Sequence, residues 1–405
     1  MNATKKHLGA GVALPAAAAL LLAGCVPNVD AASDPSQNIA VTATDTECAV
    51  SMSKAEAGVI TFSIKNEGSK VNEFYLLGEN GLTIKTEIEN IAPGTSRDLT
   101  YVADPGTYFT ACKPGMVGAD IGKAEFTVSG EVQALPADEQ EAIDAALNEY
   151  IAYTKQQVQE LLPKTEAFVK AYVAGDFDTA KTLYPTTRVH YERIEPTAEQ
   201  FGDLDPRIDY RKPGAEAENI PFEGFHRIEM DMWIDAARAN YPDEDIQPLT
   251  EAERAELGAG LKSAVQELHD LVTSDDFELS LADVTNGAVG LLDEVAAPDG
   301  KLPGEENEFA HTDLFDFYAN VEGANVAYES VRKLAESKGE TGANLVAELD
   351  KQFAAMLALL DTYGSYDKGF VNYETVTTAE RNELGAQLSA LSEPLSKLTN
   401  TVLGL

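Results

Sequence analysis

The chain has 405 residues, of which 68 are acidic and 30 basic, giving a formal charge of −38. So acidic a surface repels phosphate backbones and anionic membranes, which argues against nucleic acid as a partner. The same charge is common in merely soluble proteins, so by itself it is weak support for a metal function.

In chain order, Lys5 and Lys6 precede an Ala/Leu-rich apolar run from Gly9 to Leu22. That run is short for a membrane span and has the form of a signal-peptide core. It ends in Leu22-Ala23-Gly24-Cys25, a bacterial lipobox pattern. The expectation is a signal peptide over 1–24, lipidation at Cys25 and a lipidated tether over 25–38. This places the mature protein on the extracytoplasmic face of the cell membrane, held by acyl chains. No later stretch approaches eighteen uninterrupted apolar residues.

From 39 to 129 the apolar residues alternate, as in Ile60, Phe62 and Ile64. Turn signals at Asn66-Glu67-Gly68, Glu79-Asn80-Gly81, Pro93-Gly94 and Asp104-Pro105-Gly106 punctuate the runs. Six to eight short strands at this spacing predict a small antiparallel β-sandwich. Residues 130–138 read as a linker. From 139 to 405 the period changes from 2 to 3.6, beginning with Ile143, Leu147, Tyr150, Ile151 and Val158. Further helical runs are expected at 251–272, 278–296, 312–335, 341–363 and 377–401, with connections near 196–224, 240–249 and 297–305. The second half is an all-α helical bundle, so the chain is multidomain.

Two acidic motifs in the helical half carry metal-binding chemistry. Glu192 and Glu195 stand three apart, with Glu199 continuing the face if a helix survives Pro196; His226 and Glu229 also stand three apart. Facing helices that present two carboxylates and a His–carboxylate pair build oxygen-rich centres suited to iron, manganese or zinc. Glu305, Glu306, His311 and Asp313 are candidates for a supporting or rim position, and a helix-start hydrogen bond accounts for Asp313 equally well. His190 and His269 read as surface or structural. A zinc peptidase would need a second histidine where Met230 stands, and neither His-Glu-x-x-His nor Gly-x-Ser-x-Gly occurs.

In the sandwich, Cys112 and Met116 lie on the loop before the last strand, as thiolate and thioether ligands do in copper proteins. Residues 39–130 contain no histidine, so a His₂Cys copper centre is excluded. Two readings stay open: Cys48 and Cys112 form a disulfide, or Cys48, Glu73, Cys112 and Met116 bind a second metal, with Asp120 as a further candidate.

Four blocks taken in order, Tyr191 to Pro196, Phe201 to Pro206, Gly224 to Glu229 and His311 to Asp316, resemble the EfeO family of the EfeUOB iron-uptake system. That family joins a cupredoxin-like domain to an imelysin-type, peptidase-like helical domain. The resemblance implies a non-enzymatic iron carrier, for Fe²⁺ or Fe³⁺, with His226, Glu229, Glu192 and Glu195 as ligands. It implies a second site at Glu73, Cys48, Cys112 and Met116, with copper or zinc as candidate ions. A membrane iron permease and a peroxidase are the implied partners. The rival readings are a copper-binding redox module, a metallopeptidase-like hydrolase and a polysaccharide-binding protein.

Overall fold

The computed structural model describes residues 37–116, 118–131, 135–297 and 300–405. The expected signal peptide, Cys25 and all but the last two residues of the tether lie outside the described residues.

The alternating segments form nine strands: β1 (Gln37–Ala43), β2 (Cys48–Val50), β3 (Lys54–Glu56), β4 (Gly58–Asn66), β5 (Asn72–Leu77), β6 (Ile84–Ile91), β7 (Ser96–Ala103), β8 (Gly106–Cys112) and β9 (Ile121–Ser129). They make two sheets, β2-β1-β4-β7 and β3-β9-β8-β5-β6. Most pairings are antiparallel, but β1–β4 and β3–β9 are parallel, which a period of two cannot reveal. Inward residues of both sheets meet around Phe62, whose ring lies 5.1 Å from Phe74 and 5.4 Å from Phe126. Asn66 is fully buried and ties the following turn down, donating to the carbonyls of Lys70 and Ile91. Strand β5 is buried on both faces. Phe74 and Leu76 enter the sandwich core, while Tyr75 and Leu77 join Ala111 in a separate apolar cluster. Between the strands Cys48 and Cys112 are joined in a disulfide, with Cα atoms 5.6 Å apart.

The helical half runs as α1 (Ala137–Val173), α2 (Phe177–Glu192), a 3-10 segment (Glu195–Phe201), α3 (Leu204–Asp209), α4 (Lys212–Glu218), α5 (Gly224–Met232), α6 (Ile234–Asn240), α7 (Glu251–Thr273), α8 (Leu281–Ala296), α9 (Asp313–Glu336), α10 (Gly339–Leu360), α11 (Thr378–Leu395) and α12 (Leu398–Leu403). A two-strand ribbon, β10 (Gly364–Ser365) and β11 (Gly369–Phe370), follows α10. Capping boxes start α7 (Thr250 with Glu253), α8 (Ser280 with Asp283) and α11 (Thr377 with Glu380), each satisfying N–H groups the first turn leaves unpaired. The expected run 377–401 is two helices, α11 and α12, with Ser396 and Lys397 in a turn between them where the Lys397 N–H bonds three residues back to Pro394. The expected connection 196–224 contains α3 and α4. No helix among the described residues is long and apolar enough to cross a membrane.

Sandwich and helices belong to one compact unit. Helix α8 lies along β6 and β7: Ala282 is part of the sandwich core, and Arg97 pairs with Asp293 at 2.5 Å. Asn90 donates to the Asp293 carbonyl at 2.8 Å, and Asn286 to the Thr100 carbonyl at 2.8 Å. Between the two halves a cleft of about 820 Å³ remains, lined by Glu73, Glu87 and Glu89 from one side and Glu195, Lys301 and Glu306 from the other.

Candidate metal centre

The centre is assembled from five elements. Helix α2 supplies Arg188 and Glu192, the 3-10 segment Glu195, α3 Asp209, α5 His226 and Glu229, and the loop from α8 to α9 Lys301 and Glu306. Their approach depends on two glycines. Gly224 opens α5 at φ +80, and a Cβ there would lie 2.3 Å from the Ile208 carbonyl oxygen, so only glycine brings His226 this close to Asp209. A Cβ on Gly287 would fall on the Pro196 carbonyl, so that glycine lets α8 press on the segment bearing Glu195.

His226 is 2% exposed. Its Nδ1 donates to Glu229 Oε2 at 3.0 Å. Its Nε2 lies 3.2 Å from Glu306 Oε1 and 3.6 Å from Asp209 Oδ1, in a geometry that forms no hydrogen bond. Glu229 is occupied elsewhere: Oε1 accepts the backbone N–H groups of Phe309 (2.9 Å) and Ala310 (2.8 Å), and Oε2 accepts the Tyr184 hydroxyl at 3.1 Å. This is the arrangement that fixes an imidazole's tautomer and leaves the opposite nitrogen for a metal. Asp209, His226 and Glu306 each offer a ligand atom within 4.8 Å of the others, and so do Glu192, Glu195 and Asp209.

The expected shell of His226, Glu229, Glu192 and Glu195 is therefore rearranged. Glu229 orients the imidazole rather than facing the opening. Glu192 and Glu195 fall in a neighbouring group linked through Asp209, because α2 ends at Glu192 and Pro196 sits in a 3-10 segment. Asp209 has no local motif to mark it, and Glu306 belongs to an irregular loop. Only the close packing of α3, α5 and the α8–α9 loop makes them neighbours.

Six carboxylates, Glu192, Glu195, Asp209, Glu229, Glu306 and Asp316, contact Arg188, Lys301 or His226. Arg188 has no exposure and spans Glu192, Asp209, Glu306 and Asp316. The permanent cations are too few for these anions, so burial is compensated by protons. Desolvation, with repulsion from Glu192, holds Glu195 and Asp316 well above the usual carboxylate range, despite Lys301 and Arg188. Burial and Arg188 push the His226 imidazolium down, but its hydrogen bond to Glu229 and the close carboxylates of Glu306 and Asp209 outweigh them and lift it to about 9. Glu306 goes the other way: despite burial, Lys301, Arg211 and His226 hold it well below the usual range. Nearer the cleft, burial and mutual repulsion raise Glu199 to about 8 and Glu294 and Asp205 to about 7. A cation entering here would take over a charge that protons now carry.

The sandwich residues divide differently. The disulfide consumes both thiolates, so Cys48 and Cys112 are not available as ligands, and the metal reading of those two residues is replaced by the covalent one. Asp120 pairs with Lys123 at 3.1 Å. Met116 lines the cleft, as does Glu73, whose close acidic neighbours are Glu87 and Glu89. Of the other histidines, His190 faces Gln157 at 2.9 Å and is held down at about 4 by burial. His311 stands apart from the centre, 3.8 Å from Glu374. Asp313, the first residue of α9, accepts the N–H of Asn307 from the preceding loop at 3.2 Å.

Comparison with known proteins agrees with this division. The cupredoxin-like domain model matches residues 14–128, and the imelysin model matches residues 146–398. The iron uptake system component EfeO of Escherichia coli K12 is 35% identical over 369 residues, 91% of this chain and 92% of that protein. The EfeO proteins of Escherichia coli O6:H1 strain CFT073 and of Shigella flexneri match to the same extent. With a cupredoxin-like sandwich, an imelysin helical domain and this identity along nearly the whole length, the chain belongs to the EfeO family.

Proposed function

We propose that this protein binds iron at Asp209, His226 and Glu306 and serves iron uptake, handing the ion to a membrane permease with a peroxidase as companion. One observation carries the binding claim: His226 Nε2 is buried, forms no hydrogen bond and faces two carboxylates, while Glu229 holds the ring from behind. Oxygen donors with one imidazole and no sulfur suit Fe²⁺ or Fe³⁺ better than Cu(I). The name of the EfeO relatives supports iron as the cargo. A hydrolase reading gains nothing, since Met230 packs in an apolar cluster where a second zinc ligand would be needed. Attachment at the extracytoplasmic face through Cys25 is part of the same reading. The Leu22-Ala23-Gly24-Cys25 pattern supports it, as does the disulfide, which persists in oxidising compartments.

The test is anaerobic calorimetric titration of metal-free full-length protein with Fe²⁺. His226→Ala and Asp209→Asn should each weaken binding by about 100-fold or more, beyond the roughly 10–100-fold typical of outer partners. Wild-type affinity in both variants would refute the assignment.

A further inference from the structure

The centre already contains a buried ammonium. Lys301 is 4% exposed. Its Nζ lies 3.2 Å from Glu195 Oε2, 3.3 Å from Glu192 Oε2 and 3.8 Å from Glu306 Oε2. It thus touches both carboxylate groups of the centre at once, sitting on two members of the Glu192–Glu195–Asp209 group and on one of the residues beside His226 Nε2. We propose that the Lys301 ammonium is a stand-in for the cargo, which an incoming iron ion displaces into the cleft and which returns when the ion leaves. The inference rests on the iron-binding reading above.

Lys301 rather than Arg188 is the group that moves, for three reasons. Arg188 projects from the middle of α2, is fully buried and is gripped by four carboxylates through a planar fork. Lys301 stands on a loop, and its side chain is a flexible four-carbon stem ending in a point charge. It also lines the cleft, so an exit lies beside it. A di- or trivalent ion between Asp209, His226 and Glu306 repels this ammonium at close range and takes the carboxylate oxygens that hold it. The buried anions are thereby never left without a counter-charge, which is the state that costs most. The same competition limits affinity, as a carrier that must give up its ion requires.

Two measurements on the full chain test this. In the first, metal-free and Fe²⁺-saturated protein receive a brief, sparse pulse of an amine-acetylating reagent, and modification is read by peptide mass spectrometry. Iron should increase labelling of Lys301 at least fivefold and leave exposed Lys368 unchanged. A bound ligand ordinarily protects, so unchanged or reduced labelling at Lys301, with iron bound by calorimetry, overturns the proposal. In the second, Lys301→Met should bind Fe²⁺ at least tenfold more tightly than wild type, and Lys301→Arg should bind more weakly. Weaker binding by Lys301→Met would make the lysine a structural partner and refute displacement. Absence of iron binding to the wild-type protein would instead overturn the function proposed above, and this inference with it.

Discussion

Gly224→Ala alters no ligand, yet it should weaken the centre. The residue sits at φ +80, where a side chain costs about 1–2 kcal/mol. Its Cβ would lie 2.3 Å from the Ile208 carbonyl oxygen, against 3.4 Å or more for an ordinary contact, so α5 and α3 must separate by about 1 Å. Forced overpacking of this kind costs about 1–3 kcal/mol, and the two terms together predict a loss of roughly 2–5 kcal/mol on denaturant titration. Because Ile208 precedes Asp209 and Gly224 stands two residues before His226, the separation opens the 3.6 Å gap between Asp209 and His226. Ligand sets tolerate about 0.5 Å of misplacement, so Fe²⁺ affinity should fall roughly 10–100-fold. Gly290→Ala in α8 is the control: a Cβ there meets nothing within 4 Å, and stability should rise by about 0.5–1 kcal/mol from helix propensity alone. Calorimetric titration alongside the denaturation curves reads both effects. A Gly224→Ala protein that is destabilised but binds iron as wild type does would refute the view that this helix contact sets the ligand geometry.

Three further outcomes follow from features of the structure. Glu199 is raised to about 8, Asp205 and Glu294 to about 7 and His226 to about 9, so the folded metal-free protein holds protons that the unfolded chain releases. Their stabilisation is complete below the unfolded values and lost as pH passes the folded ones; Tm of metal-free protein should fall from pH 6 to 9, and a flat or rising profile would contradict the assignment. The bridge between Cys48 and Cys112 spans a sequence separation of 64, so reducing it should cost about 4 kcal/mol by the chain-entropy model, and native protein should show no free thiol at either position before reductant is added. Cys25→Ser should move the protein from the membrane to the soluble fraction of fractionated cells, and retention after a high-salt wash would remove the acyl anchor.

Much of the architecture could be read from periodicity because each signal was local. Ile60, Phe62 and Ile64 declare a half-buried strand by themselves, and Thr250 with Glu253 declares a helix start. Parallel pairing of β1 with β4 could not be read so, since alternation is blind to strand direction. The centre was half legible. His226 and Glu192 stand in motifs, but Asp209 ends a six-residue helix inside what reads as a connection, and Glu306 lies on an irregular loop. The 3-10 segment around Pro196 turned Glu195 away from the continuous helical face that its spacing suggested. Arg188, four residues before Glu192 on α2, was the overlooked sign: an arginine and a glutamate at that spacing look like a solvated pair, and here both are fully buried.

The placement of Ala282 inside the sandwich core bears on how the molecule comes apart. Thr100 also donates to Asn400, and Thr399 to Asn286 and Thr285, so the last helix, α8 and β7 form one hydrogen-bonded seam. Two parts matched by different family models thus share one packed and hydrogen-bonded boundary. Scanning calorimetry should record one melting endotherm rather than two, and cutting the gene at the linker would expose Ala282 and its seam on one fragment and the matching face of the sandwich on the other. A single endotherm would make the unit that melts larger than either family match.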